Sequence, residues 1–189
     1  MSAPVRHLLG LEVLDRQLVD ADDELCGKVD DLELEAAGDG MRVSAILFGP
    51  AAWPDRLPPR PAGLARRLLH GPVTRIEWKD VEELSSAVRL KLKARELEER
   101  RAELPAPDAG RTRLSFLIGD RVVGPGGRSR GRVYEVEAEE REGGPEVTAL
   151  LVGWSGLLGR LGLKRSFDEE TRVPWEAIVQ WEGRRLRVE

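Results

Sequence analysis

The sequence predicts a mainly β protein: two small antiparallel β-barrels in tandem, joined by a short charged helix. Three observations lead to this fold class: a long internal repeat, short apolar segments of strand length, and glycine-rich turns between them. The 189 residues suit two small domains. Each repeat is near the lower size at which an apolar core suffices to stabilise a fold.

The internal repeat defines the domains. Three blocks recur in the same order: Gly27–Glu35 as Gly131–Glu139, Val43–Gly49 as Val147–Gly153, and Thr74–Val81 as Thr171–Ile178. A unit of this length indicates a duplicated domain, because the units of solenoids are shorter. We therefore predict a first domain at 7–91, a helical connector and tether at 92–113, and a second domain at 114–189.

The strands are predicted from hydrophobic patterning. Leu11–Asp15 is expected to open the first domain as a strand, with Leu11 and Val13 on one face. Ala45–Phe48 and Ala149–Val152 are continuous apolar runs that end at glycine, which predicts the central strand of each repeat.

Turns and a connector separate these strands. Ala36–Gly40, Gly124–Gly127 and Arg141–Pro145 place glycine where a tight turn needs positive φ. Residues 91–104 are good helix formers with a predicted Glu96–Arg100 pair, and prolines follow from position 105, so a mostly solvated helix is expected there.

Two stretches differ between the copies and are the places to look for function. They are Trp53–Pro72 and Trp154–Leu163, the second being apolar and interrupted by glycines. An apolar segment of this kind can form an exposed partner-binding patch; the alternative is that it packs against the other repeat. The partner-binding candidates are Trp154, Leu157, Leu158, Arg160, Leu161, Leu163, Lys164 and Arg165.

Several chemistries are excluded by residue type and spacing. With one cysteine, Cys26, and two histidines, neither an internal disulfide nor a zinc cluster is expected, and Cys26 is predicted to be a buried, inert thiol. The Gly126–Gly131 segment lacks the lysine and hydroxyl of a phosphate loop, so its arginines could bind an anion only weakly. Asp20–Glu24 lacks the glycine and glutamate of a calcium loop. We predict no catalytic, cofactor-binding or metal-binding residues.

Charge and hydropathy bound the class of partner. The formal net charge of −4 is divided as −4, +1 and −1 over residues 1–91, 92–113 and 114–189, so no segment is basic enough to predict nucleic-acid binding from charge alone. No apolar run is long enough to span a membrane, and no secretory signal is visible, so a cytoplasmic protein is expected.

The ordered motifs resemble those of the PRC-barrel family. In the first repeat they are Gly10–Asp15, Gly27–Leu32, Leu47–Gly49 and Ile76–Trp78, and in the second Gly119–Val123, Gly131–Val133, Leu151–Gly153 and Val173–Trp175. Glu77 departs from the pattern, since a proline is usual there. The family includes the cytoplasmic domain of the photosynthetic reaction centre H subunit and the C-terminal domain of the ribosome maturation factor.

The resemblance implies a non-enzymatic adaptor or assembly protein of bacterial type, without a cofactor, that binds a protein partner. An RNA- or ribosome-associated maturation factor is the alternative, and a regulatory protein that binds a small ligand is a further one. Trp78 and Trp175 are predicted to lie in near-alternating strands and to fill the barrels. Because PRC units often work in pairs, the two barrels could also pair within the chain as a pseudo-dimer.

Overall fold

The computed structural model describes residues 5–56, 65, 69, 71–104, 110–153 and 172–189. It confirms that the protein is mainly β: the longest helix in the described residues, Ala94–Glu99, has six residues. None of the described helices has the length and apolar character that a membrane span requires.

Strands account for about half of the described residues and occur in both repeats. Those from the first repeat through the connector are β1 (Arg6–Leu8), β2 (Gln17–Val19), β3 (Leu25–Lys28), β4 (Asp31–Ala37), β5 (Gly40–Phe48), β6 (Val73–Glu77), β7 (Val81–Leu84), β8 (Val88–Leu90), β9 (Arg101–Ala102) and β10 (Arg111–Arg113). Those of the second repeat are β11 (Arg121–Val123), β12 (Ser129–Glu139), β13 (Glu146–Gly153), β14 (Arg172–Pro174), β15 (Ile178–Glu182) and β16 (Arg185–Val188).

The described strands form two sheets, of twelve and four strands. The larger sheet runs β10-β4-β5-β13-β12-β11-β16-β15, with β1, β6, β9 and β14 paired beside this path, and the smaller runs β3-β2-β8-β7. Within the described part of the chain these strands do not close into barrels. Strands from both repeats therefore share one sheet.

The repeats meet where β5 pairs with β13. Arg42 and Glu146 are antiparallel register partners, and Arg42 Nη2 donates to Glu146 Oε1 at 2.8 Å. These residues stand 104 positions apart, so they are equivalent positions of the repeat. Antiparallel pairing between equivalent positions is the contact that a local two-fold axis produces.

The short strand that precedes each repeat also pairs with a strand of the other repeat. The N-terminal strand β1 pairs with β12 of the second repeat, with His7 opposite Ala138. The corresponding strand before the second repeat, β10, pairs with β4 of the first, with Thr112 opposite Leu34. As a result, β12 and β4 each pair with a short strand that comes from the other half of the molecule.

One apolar core serves both repeats. The main cluster of buried side chains includes Leu32 and Val43 from the first repeat and Leu114, Val136 and Leu150 from the second. The predicted central strands are confirmed, because β5 pairs with β4, β6 and β13, and β13 pairs with β12, β14 and β5.

Two predicted elements were wrong in detail. Leu9–Val13 forms a turn of π-helix in which Leu9 and Val13 are buried and Leu11 is exposed, so the strand predicted from Leu11 and Val13 is not formed. Trp78 and Trp175 do not lie within strands; each begins a 3₁₀ turn directly after one.

The connector helix is shorter than predicted. It ends at Glu99, after which Arg101 and Ala102 form β9 beside β6. Glu96 accepts from the backbone N–H of Lys93 at the helix start, where the sequence predicted a pair with Arg100. This arrangement satisfies one of the N–H groups that the start of the helix leaves unpaired.

The contact between the repeats depends on the absence of a side chain at Gly144. Gly144 has φ +128°, and a Cβ there would lie 2.6 Å from Val43 O and 3.0 Å from the Trp78 ring. We expect Gly144→Ala to lower the free energy of unfolding by about 2–4 kcal/mol, since it adds both backbone strain and a clash with main chain.

Gly183→Ala is the matched control for this prediction. Gly183 also has positive φ, +56°, but a Cβ there would meet nothing within 4 Å. The free energy of unfolding of Gly183→Ala, measured in urea, should fall by only the backbone contribution, about 1 kcal/mol. Equal losses in the two variants would contradict a tight contact at Gly144.

Candidate functional site

A buried carboxylate on β4 joins three strands of the first repeat. Glu33 is 1% exposed; Arg75 Nη2 of β6 lies 2.7 Å from its Oε1, and Ser44 Oγ of β5 donates to the same atom at 2.9 Å. Arg111 Nε of β10, which precedes the second repeat, lies 3.7 Å away. The hydrogen bond to Glu33 raises the pKa of Arg75 above its usual value, so this arginine stays charged.

The same three-residue arrangement occurs in the second repeat. Arg172 Nη2 donates to Glu137 Oε1 at 2.6 Å, and Thr148 Oγ1 donates to that oxygen at 3.2 Å. The hydrogen bond from Arg172 lowers the pKa of Glu137. Because both repeats keep this arrangement in equivalent strands, we interpret it as part of the scaffold.

A fully buried carboxylate reaches from the first repeat into the second. Asp31 accepts from the backbone N–H of Leu32 at 2.9 Å and from that of Ser115 at 3.1 Å, and it also accepts from the Ser115 hydroxyl. Ser115 lies in the short helix Leu114–Leu117. Burial raises the pKa of Asp31 to about 6, although the hydrogen bonds from Ser115 and Leu32 act to lower it.

The reciprocal contact comes from Glu135, the equivalent position in the second repeat. Its Oε1 accepts from the N–H of Gly10 at 2.6 Å and of Val136 at 2.8 Å. A Cβ at residue 10 would lie 2.8 Å from the same oxygen, so a side chain there would displace the Glu135 carboxylate. Each repeat thus uses a buried carboxylate to hold the first helical turn of the other.

The two equivalent tryptophans contact opposite repeats. Trp78 packs on Gly144, and Trp175 lies 4.0 Å from the Cβ position of Gly40, with its indole N–H donating to Asp39 O at 3.2 Å. The prediction that each ring fills its own barrel is therefore corrected, since both rings belong to the contact between the repeats. Indole suits this position because it combines a large apolar surface with one hydrogen-bond donor.

Trp181 connects this contact to the outer strands of the second repeat. Its ring meets Trp175 edge-on, with centroids 6.4 Å apart, and its N–H donates to Asp120 Oδ2 at 3.0 Å. Asp120 is 1% exposed and also accepts from Arg184 Nε at 2.8 Å. Burial raises the pKa of Asp120, while the nearby Arg184 acts to lower it.

A cluster of arginines covers the solvent side of β11, β16 and β15. It lines an open cleft of about 740 Å³, together with Val123, Gly127, Gln180 and Glu182. We call this surface the arginine face; its cations are Arg121, Arg184, Arg185 and Arg187. Counting Glu182 and the buried Asp120 that pairs with Arg184, the four arginines leave the face with a formal charge of +2.

Two of these arginines are placed unfavourably for stability. Arg121 and Arg185 are register partners in the parallel pair β11–β16, and both are exposed. Like charges directly opposite one another in a sheet are destabilising. Among the described residues the Arg185 side chain has no hydrogen-bond or ion-pair partner, whereas Arg187 Nη1 donates to Gln180 Oε1 at 3.3 Å. The scaffold does not need this concentration of charge, so the face is our candidate functional site.

Sequence reasoning missed this face because it counted charge along the chain. The parallel pairing of β11 with β16 brings residues 121 and 185 together, although residues 114–189 have a formal charge of only −1. The detectable signal was the repeat itself, because the first repeat has Gln17 and Ala87 where the second has Arg121 and Arg185.

The arginines that the sequence suggested as weak anion ligands are partly engaged elsewhere. Arg132 Nη1 donates to Gly119 O at 2.7 Å, and Arg130 Nη2 donates to Glu189 O at 3.5 Å. β12 begins at Ser129, directly after the glycine turn.

Cys26 and the acidic loop have structural surroundings. Cys26 is half-buried rather than buried, and its Sγ lies 3.4 Å from Leu18 O. Burial raises the pKa of its thiol to about 11, so the thiol is protonated at neutral pH. The Asp20 carboxylate accepts from the N–H groups of Asp22, Glu24 and Ala94, which ties the acidic loop to the connector helix.

The partner-binding residues predicted from the sequence lie outside the described residues. They are Trp154, Leu157, Leu158, Arg160, Leu161, Leu163, Lys164 and Arg165, and most of the Trp53–Pro72 stretch is outside as well. In the described residues, no group of three or more histidine, cysteine or carboxylate side chains is arranged to hold a metal ion.

Comparisons with known proteins give no family assignment for this chain. No protein-family model matches it, and a search among curated proteins finds no match.

The buried Asp31 predicts a pH-dependent stability. Its folded-state pKa of about 6 lies above the ordinary 3.8, so the folded protein holds this proton more tightly than the unfolded chain. The associated stabilisation is full below about pH 4 and is lost as the pH rises through about 6. Relative to Asp31→Asn, the wild type should therefore lose about 2–3 kcal/mol of unfolding free energy between pH 4 and pH 7.

Urea unfolding of both proteins across that range measures the difference. Asp39→Asn removes an exposed carboxylate and is the control for the general loss of charge. A wild-type minus Asp31→Asn difference that stays constant with pH would contradict the raised pKa.

Proposed function

We propose that this protein is a non-enzymatic adaptor of the PRC-barrel type, in which two paired repeats present the arginine face to an acidic segment of a protein partner. One observation carries the proposal. The contacts that hold the repeats together recur at equivalent positions in both halves, whereas the arginine face occurs in the second half only.

The reciprocal contacts support an internal pair of PRC-type units, that is, an intramolecular pseudo-dimer. The exchanged strands β1 and β10, the two buried carboxylates and the two tryptophans each act across the local two-fold axis. The motifs that resemble the family supply several of these groups, including Asp31 and both tryptophans. The described strands do not close into the barrels expected of that family, so the proposal rests on the pairing of the two units and not on barrel closure.

The environment of the titratable groups supports an adaptor over an enzyme. Asp31 and Glu135 hold the contact between the repeats, whereas Glu33 and Glu137 hold strands within each repeat, and all four accept hydrogen bonds from the scaffold. A general acid or base needs to converge with other groups on a substrate pocket. These carboxylates instead hold strands and helical turns in place.

The chemistry of the arginine face favours an acidic partner segment. Guanidinium groups bind carboxylates through paired, charge-assisted hydrogen bonds. A single exposed ion pair contributes little, about 0–1 kcal/mol. Four arginines within one cleft can act together and select a partner by charge complementarity.

Charge reversal on the face tests this function. We expect the full chain to bind a labelled ten-residue glutamate peptide and to capture partners from the native cell, and Arg185→Glu with Arg187→Glu to weaken peptide binding at least about tenfold. Both residues are exposed, so the fold should be retained. Fluorescence anisotropy and affinity purification with mass spectrometry give the two readouts.

Arg95→Glu with Arg101→Glu is the matched control, because it makes the same change in net charge at exposed residues outside the face. Trp154→Ser with Leu158→Ser tests the apolar segment predicted from the sequence. If that pair abolishes capture while the arginine-face variant binds normally, the docking surface proposed here is wrong.

A second candidate function, an RNA- or ribosome-associated factor, is favoured by the same arginines. Arg128, in the turn before β12, and Arg130, at the start of β12, are exposed beside the face and enlarge its basic surface. Clustered arginines can bind phosphates as well as carboxylates. Co-sedimentation with ribosomal subunits at moderate salt, lost in the arginine-face variant, would favour this candidate, and absence from the ribosomal fractions would exclude it.

A further inference from the structure

The first repeat carries a surface of opposite charge at the position equivalent to the arginine face. Arg89 on β8 forms an ion pair with Asp23, and Glu82 and Glu83 on the neighbouring β7 also act on it electrostatically. We call these four residues the acidic face. Three carboxylates and one arginine give it a formal charge of −2.

Register shows that the two faces are equivalent. Val88 on β8 pairs with Leu18, as Leu186 on β16 pairs with Val122, so Arg89 corresponds to Arg187. Arg89 has Glu83 opposite it on β7, whereas Arg187 has Gln180 opposite it on β15.

Substitutions at the other equivalent positions also change the charge. The first repeat has Gln17, Asp23 and Ala87 where the second has Arg121, Gly127 and Arg185. Arg89 in the first repeat is therefore neutralised by carboxylates, whereas the equivalent Arg187 in the second repeat has further arginines beside it.

We infer that this protein self-associates head to tail, the acidic face of one copy docking on the arginine face of the next. The inference rests on the proposed function in one respect, that the arginine face is a docking surface. It deepens that function by naming a second copy of the chain as an occupant of this surface.

Charge decides the geometry of the assembly. A symmetric dimer through two arginine faces would bring like charges together, which opposes association. A contact between the arginine face of one copy and the acidic face of the next leaves one face of each kind free at the two ends of the assembly. Such a heterologous contact forms a ring if its rotation closes and a longer chain of copies if it does not.

The contact should be weak, reversible and sensitive to salt. The charged side chains of both faces are exposed, and exposed charges are screened over about 8 Å at physiological ionic strength and about 3 Å at 1 M. Self-association would then compete with an acidic partner for the same arginines, so a partner that binds the arginine face should shorten the assemblies.

Sedimentation velocity of the nuclease-treated full chain tests the inference over about 5–300 μM protein, at low and high salt. We expect the weight-average mass to rise above that of the 21.0 kDa monomer with concentration at low salt and to return to it at 1 M salt. Arg185→Glu with Arg187→Glu should be monomeric at low salt, because both of its faces are then acidic.

The reciprocal variant provides the decisive comparison. Glu82→Arg with Glu83→Arg makes both faces basic and should also be monomeric, while an equimolar mixture of the two variants should associate again. Arg95→Glu with Arg101→Glu should associate as the wild type does. Two monomeric variants that recover association only in mixture would support the head-to-tail contact.

Two results overturn the inference. One is a wild-type chain that stays monomeric over the whole concentration range at low salt, and the other is association that the face variants leave unchanged. If the chain is monomeric but peptide binding still requires Arg185 and Arg187, self-association is wrong and the adaptor function stands. If it associates as expected but neither peptide nor cellular partner binds, the adaptor function fails instead.

Discussion

The antiparallel approach of β5 and β13 at equivalent positions is the constraint on which the rest of the molecule depends. Once Arg42 meets Glu146, the local two-fold axis determines what every other part of each repeat will face. Trp78 is placed on Gly144 and Trp175 on Gly40, and the strands that precede each repeat are placed on the long strands of the other. A single close contact between main chains thus explains why glycines, tryptophans and buried carboxylates that are distant in sequence lie together between the repeats.

This constraint explains why some positions match between the repeats and others do not. A residue at the contact faces the surroundings of its own counterpart, so the two copies must remain compatible with each other. Asp31 and Glu135 illustrate this, since each accepts from a backbone N–H in the first helical turn of the other half. The outer faces have no such reciprocal partner, and there the charge of the two repeats has changed in opposite directions.

The sequence predicted the strands and turns well, because local patterning determines them. The apolar runs of β5 and β13, and positive φ at Gly126 and Gly143, follow from residues near one another in the chain. The exchange of β1 and β10 could not be predicted, since an alternating strand carries no mark of which long strand it pairs with. The turn at Leu9–Val13 was misread for a related reason: it is held by Glu135, which lies 125 residues away. The arginine face was missed because it is assembled by a parallel pairing between the two ends of the second repeat.

The exchanged strands also determine the order in which the chain can complete its fold as it is synthesised. β1 emerges first, yet its partner β12 lies about 130 residues later, so β1 must wait while the whole first repeat and the connector are made. β4 meanwhile exposes an unpaired edge until β10 follows. Pairings over such long sequence separations are slow to form, and unpaired strand edges are sites of misassembly. The interval before the second repeat leaves the ribosome is therefore when a nascent chain is most exposed to pairing with its neighbours.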